Sequence, residues 1–287
     1  MAGKVCMVTG ATSGLGAVTA RVLAQMGAAV LVVGRNPEKC TATVSHIKQQ
    51  TGSASVDWMC CELSSQQEIR RLVQEFHRRY QRLDVLVNNA GAVFATRHLS
   101  VDGIEMALAV NHLAPFLLTN LLIDVMKQSA PARVVTVSSV AHEQAVIDFD
   151  DLQHARGYRP MLVYGKTKLA NLYFTYELAR RLEGTGVTVN ALHPGLVWTN
   201  FGLRAGPLGR IIQSLVHLRY RRSSLSAEEG ARTIIYLATS PAVDGVTGKY
   251  FVEERAVPSS DRSYDSDTAR RLWDMSARMT GLTASPS

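Results

Sequence analysis

The sequence predicts an α/β protein of one domain, built on a doubly wound parallel sheet. Short apolar runs typical of buried strands alternate with amphipathic helical patterns along the whole chain, which is the order of successive βαβ units. The first strand leads directly into a glycine-rich turn and a helix, the local order that a phosphate-binding turn requires. With 287 residues, 46% of them hydrophobic, the chain can bury one large core.

Each element is predicted from its own local signal. Strands are short apolar or β-branched runs, and helices are longer stretches with apolar residues at helical spacing. The predicted strands are residues 4–9, 28–33, 55–61, 84–91, 133–139, 187–192 and 249–252. The predicted helices are a first one ending near residue 26, one beginning at 34–37, residues 66–80, a long region around residue 111, and residues 161–183, 226–238 and 268–278. No repeat or linker interrupts this order, so residues 1–287 are expected to form a single domain.

The net charge of the chain is +7, from 31 basic and 24 acidic residues. A positive charge suits an anionic cofactor, nucleic acid or an acidic membrane surface. Because the sequence has no basic strand interleaved with aromatic residues, we expect no nucleic-acid partner.

Cysteine usage indicates a reducing compartment. Cys6, Cys40, Cys60 and Cys61 have neither metal-ligand spacing nor the pattern of a disulfide framework. We therefore expect free thiols, no metal site and a cytoplasmic location. The apolar run at the N-terminus is short and ends in a glycine turn, so it is predicted to be a core strand and neither a membrane span nor a signal peptide.

The glycine-rich turn has the spacing Gly10-x3-Gly14-x-Gly16. Glycines let the backbone turn tightly and approach a pyrophosphate, and the helix N-terminus that follows supplies free N–H groups and the positive end of a dipole. The spacing differs from the Gly-x-Gly-x2-Gly fingerprint of dinucleotide-binding folds. Its position in the first βα unit nevertheless predicts a dinucleotide site.

The end of the second predicted strand indicates which dinucleotide binds. An acid usually stands here to accept from the ribose 2′-hydroxyl, but this chain has Gly34 followed by Arg35. An arginine can pair with a 2′-phosphate. The sequence therefore predicts NADP(H), although Arg35 is also compatible with an ordinary surface arginine.

Tyr164 and Lys168 are the candidate acid/base pair. They are four residues apart on a predicted helix, so both side chains project from the same face. A nearby cation favours the phenolate and lowers the pKa of tyrosine, which prepares it for proton transfer to or from a substrate oxygen. The same spacing occurs on many solvated helices, so this pair alone is weak evidence.

Two further features are singled out by the sequence. Asn111 lies within a predicted helix and is followed by Pro115, which predicts either a kink that frees a carbonyl and a side chain or an ordinary surface amide. Residues 203–224 form an amphipathic basic segment, predicted as a substrate lid packed on the domain or as a peripheral membrane contact.

Taken in order, these motifs resemble the single-domain short-chain dehydrogenase/reductase family. The resemblance covers nearly the whole chain. Its motifs are Thr9-Gly10-x3-Gly14-x-Gly16, Asn88-Asn89-Ala90-Gly91, Asn111, Ser139, Tyr164-x3-Lys168 and Pro194-Gly195. Within the family the chain is similar to the retinol dehydrogenase-like branch, on the runs 111–119, 137–142, 168–171 and 269–274 and the long gap between Ser139 and Tyr164.

The resemblance implies a Rossmann fold and a role for each catalytic residue. Tyr164 is expected to be the acid/base, with Lys168 lowering its pKa and holding the nicotinamide ribose. Ser139, the second serine of its pair, is expected to hydrogen-bond the reacting oxygen. Asn111 is expected to hold a water that relays protons behind Lys168.

The resemblance also implies a set of cofactor-binding residues. These are Gly10, Ser13, Gly14, Leu15 and Gly16 at the pyrophosphate, Arg35 and Asn36 after the second strand, Glu62 and Leu63 facing the adenine, Asn89, Ala90 and Gly91 on the adenosine side, and Pro194, Gly195, Val197 and Thr199 at the nicotinamide carboxamide.

Three departures from the family pattern affect these expectations. Glu62 stands where the family usually has aspartate, so its contact with the adenine is expected to shift. His193, before the Pro-Gly pair, is interpreted as structural. The membrane anchor that many animal retinol dehydrogenases carry ahead of the first strand has no counterpart here, which predicts a soluble enzyme or one that touches membranes only through residues 203–222.

The leading hypothesis is an NADP(H)-dependent carbonyl reductase or alcohol dehydrogenase acting on a hydrophobic aldehyde, ketone or alcohol, with a retinoid suggested by resemblance only. The alternatives are an NADP(H)-binding regulator without turnover and a peripheral membrane enzyme acting on lipid-borne substrates. Helices such as 161–183 pack between subunits in many relatives, so a homo-oligomer is expected.

Overall fold

The structure, a computed structural model, describes residues 1–195 and 225–282. One eight-stranded sheet runs through it in the order β3-β2-β1-β4-β5-β6-β7-β8. The strands are β1 Val5–Thr9, β2 Ala29–Gly34, β3 Val56–Cys60, β4 Val85–Asn88, β5 Ala132–Val137, β6 Val187–His193, β7 Tyr250–Val252 and β8 Arg255–Val257. Strands β1 to β7 are parallel to one another, and of the eight described strands only β8 is antiparallel to its neighbour, β7. The predicted doubly wound parallel sheet is confirmed.

Helices cover both faces of the sheet. They are α1 Gly14–Gln25, α2 Pro37–Thr51, α3 Gln66–Arg79, α4 Met106–Leu108, α5 Ala114–Gln128, α6 Pro160–Arg181, α7 Ala227–Thr239 and α8 Ser266–Met279. Short 3-10 turns lie at Val140–His142, Phe149–Asp151, Pro241–Val243 and Asp261–Tyr264. The expected cap of α3 is Ser65, whose Oγ accepts from the Glu68 N–H, and α7 begins with a full capping box at Ser226.

Alternation along each strand divides the core into two layers. In β1, Met7 packs into the layer that contains Phe76 and Phe116, whereas Cys6 and Val8 face the layer beneath α1, α2 and α7. Both faces of the strand are therefore buried, which explains why parallel strands appear in the sequence as continuous apolar runs.

The strand order reverses beside β1, because β2 lies on one side of it and β4 on the other. At such a switch point the loops after the two neighbouring strands diverge to opposite faces and leave a crevice at the carboxyl edge of the sheet. The residues after β1, β4, β5 and β6 thus meet along one edge.

One strand was missed by sequence reasoning. β8 forms a hairpin with β7, and the two residues between them, Glu253 and Glu254, both have positive φ, 50° and 64°. Turns of this kind are usually marked by glycine or asparagine, which tolerate positive φ. Two glutamates gave no such signal, so residues 249–252 were predicted to be the last strand.

The long helical region around residue 111 is not one continuous α-helix. A π-helical turn, Ala109–Leu113, lies between α4 and α5. Of the described chain, the stretch Met106–Gln128 has the length and apolar character to cross a membrane, but 72% of its most apolar window is buried inside the protein. That burial is what a core helix of this fold shows.

Helix α8 packs across α6, and its Trp273 contacts Phe116 and Phe174 with ring centroids 4.8 and 6.0 Å away. The predicted lid, residues 203–224, lies outside the described residues. Its structure therefore stays a prediction.

Candidate active site

Three predicted catalytic residues meet where β5 ends against α6. The Lys168 Nζ donates to the Val137 carbonyl at 2.8 Å and lies 5.5 Å from the centre of the Tyr164 ring. The Ser139 side chain hydrogen-bonds that of Tyr164. The preceding serine, Ser138, turns the other way and donates to the Lys168 carbonyl at 2.8 Å. The second serine of the pair is therefore the one at the tyrosine.

Burial dominates the electrostatics of the pair. Tyr164 is 7% and Lys168 2% exposed. Burial lowers the pKa of Lys168 from 10.5 to about 8. Burial also raises the pKa of Tyr164 above its ordinary value, and the hydrogen bond with Ser139 opposes this by a smaller amount.

The net pKa shift of Tyr164 is therefore upward, opposite in direction to the lowering expected from Lys168 alone. The phenol and the ammonium are both removed from water, so the charged form of each is disfavoured. At neutral pH the phenol is protonated, which is the form that can donate a proton to a carbonyl oxygen.

The lowered pKa of Lys168 predicts a pH dependence of stability. Between pH 8 and 10.5 the unfolded chain binds more protons than the folded one at this group, so its contribution to stability rises with pH across that window. We expect the free energy of unfolding of the wild type to increase relative to Lys168→Met by roughly 3 kcal/mol as the pH passes through the window. Urea unfolding of both proteins, without cofactor, measures this difference. A difference that stays constant with pH would contradict the assigned shift.

Asn111 lies in the π-helical turn and is fully buried. Its Oδ1 accepts from the Ala92 N–H and its Nδ2 donates to the Ala92 carbonyl, both at 2.9 Å. Its Nδ2 also donates to Thr167 Oγ1 at 3.1 Å. Of the two predictions for this residue, the structure shows the kink, with the side chain engaged by the loop after β4.

The N-terminus of α1 has the chemistry of an anion site. Ser13 occupies the N-cap position without a side-chain cap, and the first turn has no acidic residue. Helices α2, α3 and α7, in contrast, are capped by Asn36, Ser65 and Ser226. The first N–H groups of α1 thus lack a capping side chain in the described chain, and a cofactor pyrophosphate fits them.

The glycine turn also packs tightly on the loop after β4. A Cβ on Gly16 would lie 2.6 Å from Asn89 Nδ2, and one on Gly10, whose φ is 65°, would lie 3.0 Å from the Ala90 Cα. Asn89 Nδ2 donates to the Thr9 carbonyl at 2.8 Å. Glycine is required at positions 10 and 16 because these two loops touch.

The residues predicted to select the cofactor lie at the carboxyl end of β2. A Cβ on Gly34 would lie 2.5 Å from Thr12 Cγ2 and 2.8 Å from Cys40 Sγ, so there is no room for an acidic side chain. Arg35 is exposed. Asn36 Oδ1 accepts from the Lys39 N–H at 2.7 Å and caps α2. The structure thus gives Asn36 a capping role that the sequence analysis did not assign.

The remaining predicted cofactor residues lie further along the same edge. Glu62 Oε1 accepts from the Ser64 N–H at 3.2 Å, which holds its carboxylate over the start of its own loop. Leu63 and Ala90 line the same small cavity. Gly91 lies beside the catalytic pair, since a Cβ there would be 3.3 Å from Lys168 Nζ.

The loop after β6 is described only at its start. Pro194 and Gly195 follow the strand, and Gly195 has a φ of 83°. Val197 and Thr199 lie outside the described residues. Burial, followed by the neighbouring His142, lowers the pKa of His193 to about 4, so this side chain is neutral at neutral pH.

His142 was noticed in the sequence only as part of a branch motif. Its Nδ1 lies 2.7 Å from the Ser139 carbonyl, and its Nε2 accepts from the Ser260 N–H at 3.1 Å. The imidazole therefore ties the serine loop to the segment before α8. No local signal indicates this contact, since its two ends are 118 residues apart.

Comparison with known proteins agrees with this geometry. The sequence profile described as short chain dehydrogenase matches residues 4–205. The chain belongs to the short-chain dehydrogenase family. It is 42% identical to retinol dehydrogenase 14 of Mus musculus, covering 98% of this chain and 87% of that protein. It is 39% identical to polyprenol dehydrogenase of Homo sapiens, covering 97% and 86%. The predicted resemblance to the retinol dehydrogenase-like branch is confirmed.

Solved structures show the same short-chain dehydrogenase fold. A protein from Mycobacterium paratuberculosis superposes with a TM-score of 0.78 at 34% identity, covering 98% of this chain and 94% of that one. The NADP complex of Pseudomonas aeruginosa RhlG gives a TM-score of 0.70 at 28% identity, with 88% and 94% covered. As a short-chain dehydrogenase, this protein is an oxidoreductase that uses a nicotinamide cofactor.

Proposed function

We propose that this short-chain dehydrogenase transfers a hydride between NADP(H) and a hydrophobic aldehyde, ketone or alcohol, with Tyr164 as the acid/base. The observation that carries the proposal is the meeting of Ser139, Tyr164 and Lys168 at the edge of the sheet that also holds the uncapped start of α1. The cofactor, when bound, supplies or accepts the hydride at its nicotinamide ring.

In the reductive direction, the protonated Tyr164 hydroxyl donates its proton to the substrate oxygen, and Ser139 holds that oxygen by a hydrogen bond. In the oxidative direction, Tyr164 must first be in its phenolate form, which then receives the proton of the alcohol. Lys168 Nζ lies 5.5 Å from the centre of the Tyr164 ring, and its positive charge favours the phenolate formed after proton donation.

The surroundings of Tyr164 support a hydrophobic substrate. Met161 and Leu162, just before it, are 61% and 42% exposed, and Val146, in the segment after Ser139, is 57% exposed. Val163 packs in an apolar cluster with Phe94. Large apolar side chains in both segments favour an apolar molecule at the reacting oxygen. Relatives named retinol dehydrogenase and polyprenol dehydrogenase agree with this substrate class.

The substrate class is tested by following NADPH consumption with a panel of aldehydes and ketones that ranges from short polar compounds to retinal and long isoprenoid aldehydes. We expect the apolar compounds to give the highest kcat/KM. If NADPH binds but no compound is reduced, the non-catalytic regulator becomes the better hypothesis.

Cofactor choice is tested at Arg35. Arg35 is exposed at the end of β2 and can pair with a 2′-phosphate, a charged contact worth about 1.5–3 kcal/mol, or roughly 10- to 100-fold in affinity. We expect Arg35→Leu to raise the KM for NADPH by that factor and to leave the KM for NADH nearly unchanged. The control is Arg78→Leu, which removes an exposed arginine of α3. An unaltered preference for NADPH over NADH in Arg35→Leu would refute the role of this residue.

Three other expectations remain proposals. Membrane contact depends on residues 203–222, outside the described chain, and co-sedimentation with anionic vesicles tests it. The homo-oligomer is tested by light scattering. The cytoplasmic location, inferred from the free cysteines, is tested by fractionation of cells.

A further inference from the structure

Three buried polar side chains, Ser276, His112 and Asn171, form a series of hydrogen bonds that ends at the main-chain carbonyl of the buried Asn111, behind the catalytic pair. Asn111, His112, Asn171 and Ser276 are 0%, 1%, 2% and 0% exposed. The series links the π-helical turn, α6 and α8. Buried polar groups cost free energy unless they are fully paired, so three such side chains in a row call for a physical reason.

The reason begins with Pro115. If the α-helix continued through this turn, the carbonyl of residue 111 would accept from the N–H of residue 115, but proline has no N–H. The Asn171 Nδ2 supplies a donor instead, at 2.9 Å from the Asn111 carbonyl. Asn171 is three residues after Lys168, on the same face of α6. One face of this helix therefore carries both the catalytic lysine and the donor to Asn111.

His112 fixes the orientation of the Asn171 amide. The Asn171 Oδ1 is 3.3 Å from His112 Nδ1, and His112 Nε2 is 2.9 Å from Ser276 Oγ. Burial lowers the pKa of His112 to about 4, so the imidazole is neutral at neutral pH and has one donor and one acceptor. Since Asn171 directs its N–H to Asn111, its Oδ1 needs a donor, and the proton of His112 must be on Nδ1.

The same assignment makes His112 Nε2 an acceptor for the Ser276 hydroxyl, whose single hydrogen is shared with the Leu272 carbonyl at 2.8 Å. Every donor between His112 and Asn111 then points toward the Asn111 carbonyl. Such an aligned chain polarises its members in one direction.

The side chains of Asn111 and Lys168 both approach Gly91. A Cβ on Gly91 would lie 3.3 Å from Lys168 Nζ and 3.4 Å from Asn111 Oδ1, so the two side chains converge on one point of the loop after β4. A shift of Asn111 would be transmitted to the loop through its two hydrogen bonds with Ala92. A shift of Asn111 would therefore reach the loop that the Lys168 ammonium approaches at Gly91.

We propose that Asn171 and His112 are positioning residues of the active site: Asn171 holds the main-chain carbonyl of Asn111, and with it the Asn111 side chain that approaches Gly91 next to Lys168, and His112 holds the Asn171 amide in the orientation that makes this bond. The proposal rests on the proposed function, because the position of Lys168 matters for turnover only if the Tyr164 and Lys168 pair acts on a substrate.

The first test compares Asn171→Leu with Thr175→Val. Leucine keeps the volume of Asn171 and removes the donor to Asn111. Thr175 is equally buried one turn later on α6, and its Oγ1 donates to the Asn171 carbonyl at 2.8 Å, so its loss removes a hydrogen bond of the helix without touching Asn111. We expect Asn171→Leu to lower kcat about tenfold and to weaken NADPH binding about threefold, since small displacements of catalytic groups have effects of at least this size. Thr175→Val should stay within about twofold of the wild type in both.

The second test uses two conservative replacements of His112. Asparagine places an amide N–H close to the position of Nδ1, whereas glutamine reaches the position of Nε2 and leaves Asn171 without its donor. We expect His112→Asn to retain more kcat than His112→Gln by about fivefold, at a temperature where both are folded. A merely structural role predicts that kcat follows thermal stability and not the nitrogen that is replaced.

The outcomes separate the two proposals. Wild-type turnover that is lost in Tyr164→Phe supports the proposed function. The positioning role is overturned if the two His112 variants have equal kcat, or if folded Asn171→Leu has an unchanged kcat. If Asn171→Leu does not fold, the comparison of His112→Asn with His112→Gln tests the positioning role instead. If the wild type binds NADPH without turnover, the function fails, while weaker NADPH binding by Asn171→Leu than by Thr175→Val still supports the positioning role and equal binding overturns it.

Discussion

Replacing Tyr164 with phenylalanine is expected to lower turnover by roughly a thousandfold or more while the protein still folds and binds NADPH. The substitution removes only the phenolic hydroxyl group. A positioned acid/base contributes about 10²- to 10⁴-fold to a rate. The variant also loses its hydrogen bond with Ser139, which should cost about 1 kcal/mol of stability. Steady-state kinetics and a fluorescence titration with NADPH measure the two effects.

Tyr173 provides the matched control on the same helix. It is also buried, and its hydroxyl donates to the Arg262 carbonyl at 2.8 Å, away from Ser139. Tyr173→Phe should lose a similar amount of stability and keep its turnover. Undiminished turnover in Tyr164→Phe would refute the assignment of Tyr164 as the acid/base.

The second large effect is expected at Gly165, next to the catalytic tyrosine. A Cβ at this position would lie 2.5 Å from the carbonyl oxygen of Ala141, in the turn that follows Ser139. Alanine gains about 1 kcal/mol of helix propensity over glycine, but forcing atoms into a packed contact costs about 1–3 kcal/mol. Because the opposing atom belongs to the backbone, the contact is relieved only if the serine turn and α6 move apart.

Gly165→Ala is therefore expected to lower kcat by roughly a hundredfold, since separating Ser139 from Tyr164 misplaces both groups around the reacting oxygen. The net loss of stability should not exceed about 2 kcal/mol, because the gain in helix propensity offsets part of the cost of the contact. Thermal unfolding and steady-state kinetics on the same preparation separate the two quantities.

Gly184→Ala distinguishes backbone strain from the local clash. Gly184 has a φ of 75° and lies in the turn before β6, with no atom within 4 Å of its ideal Cβ position. Alanine there should destabilise the protein by about 1 kcal/mol and leave kcat unchanged. If Gly165→Ala behaves like this control, the contact between the serine turn and α6 does not position the catalytic groups.

Local sequence signals predicted much of the fold of this protein. Short apolar runs predicted seven of the eight strands, and the order strand, glycine turn, helix predicted the start of a dinucleotide site. Gly10 and Gly16 stand out because the backbone itself must turn tightly there. The spacing of Tyr164 and Lys168 is equally local, since four residues on a helix share one face whatever surrounds them.

Only the tertiary structure showed which distant segments contact each other and how deeply each side chain is buried. The Asn111 carbonyl meets the Asn171 amide across 60 residues, and His142 meets Ser260 across 118. No periodicity within one element can indicate such pairs. Burial likewise determined the net pKa of Tyr164, because desolvation depends on every element packed around the phenol, whereas the sequence showed only the lysine four residues away. Local chemistry thus determined which residues form the site, and packing determined how they are charged and held.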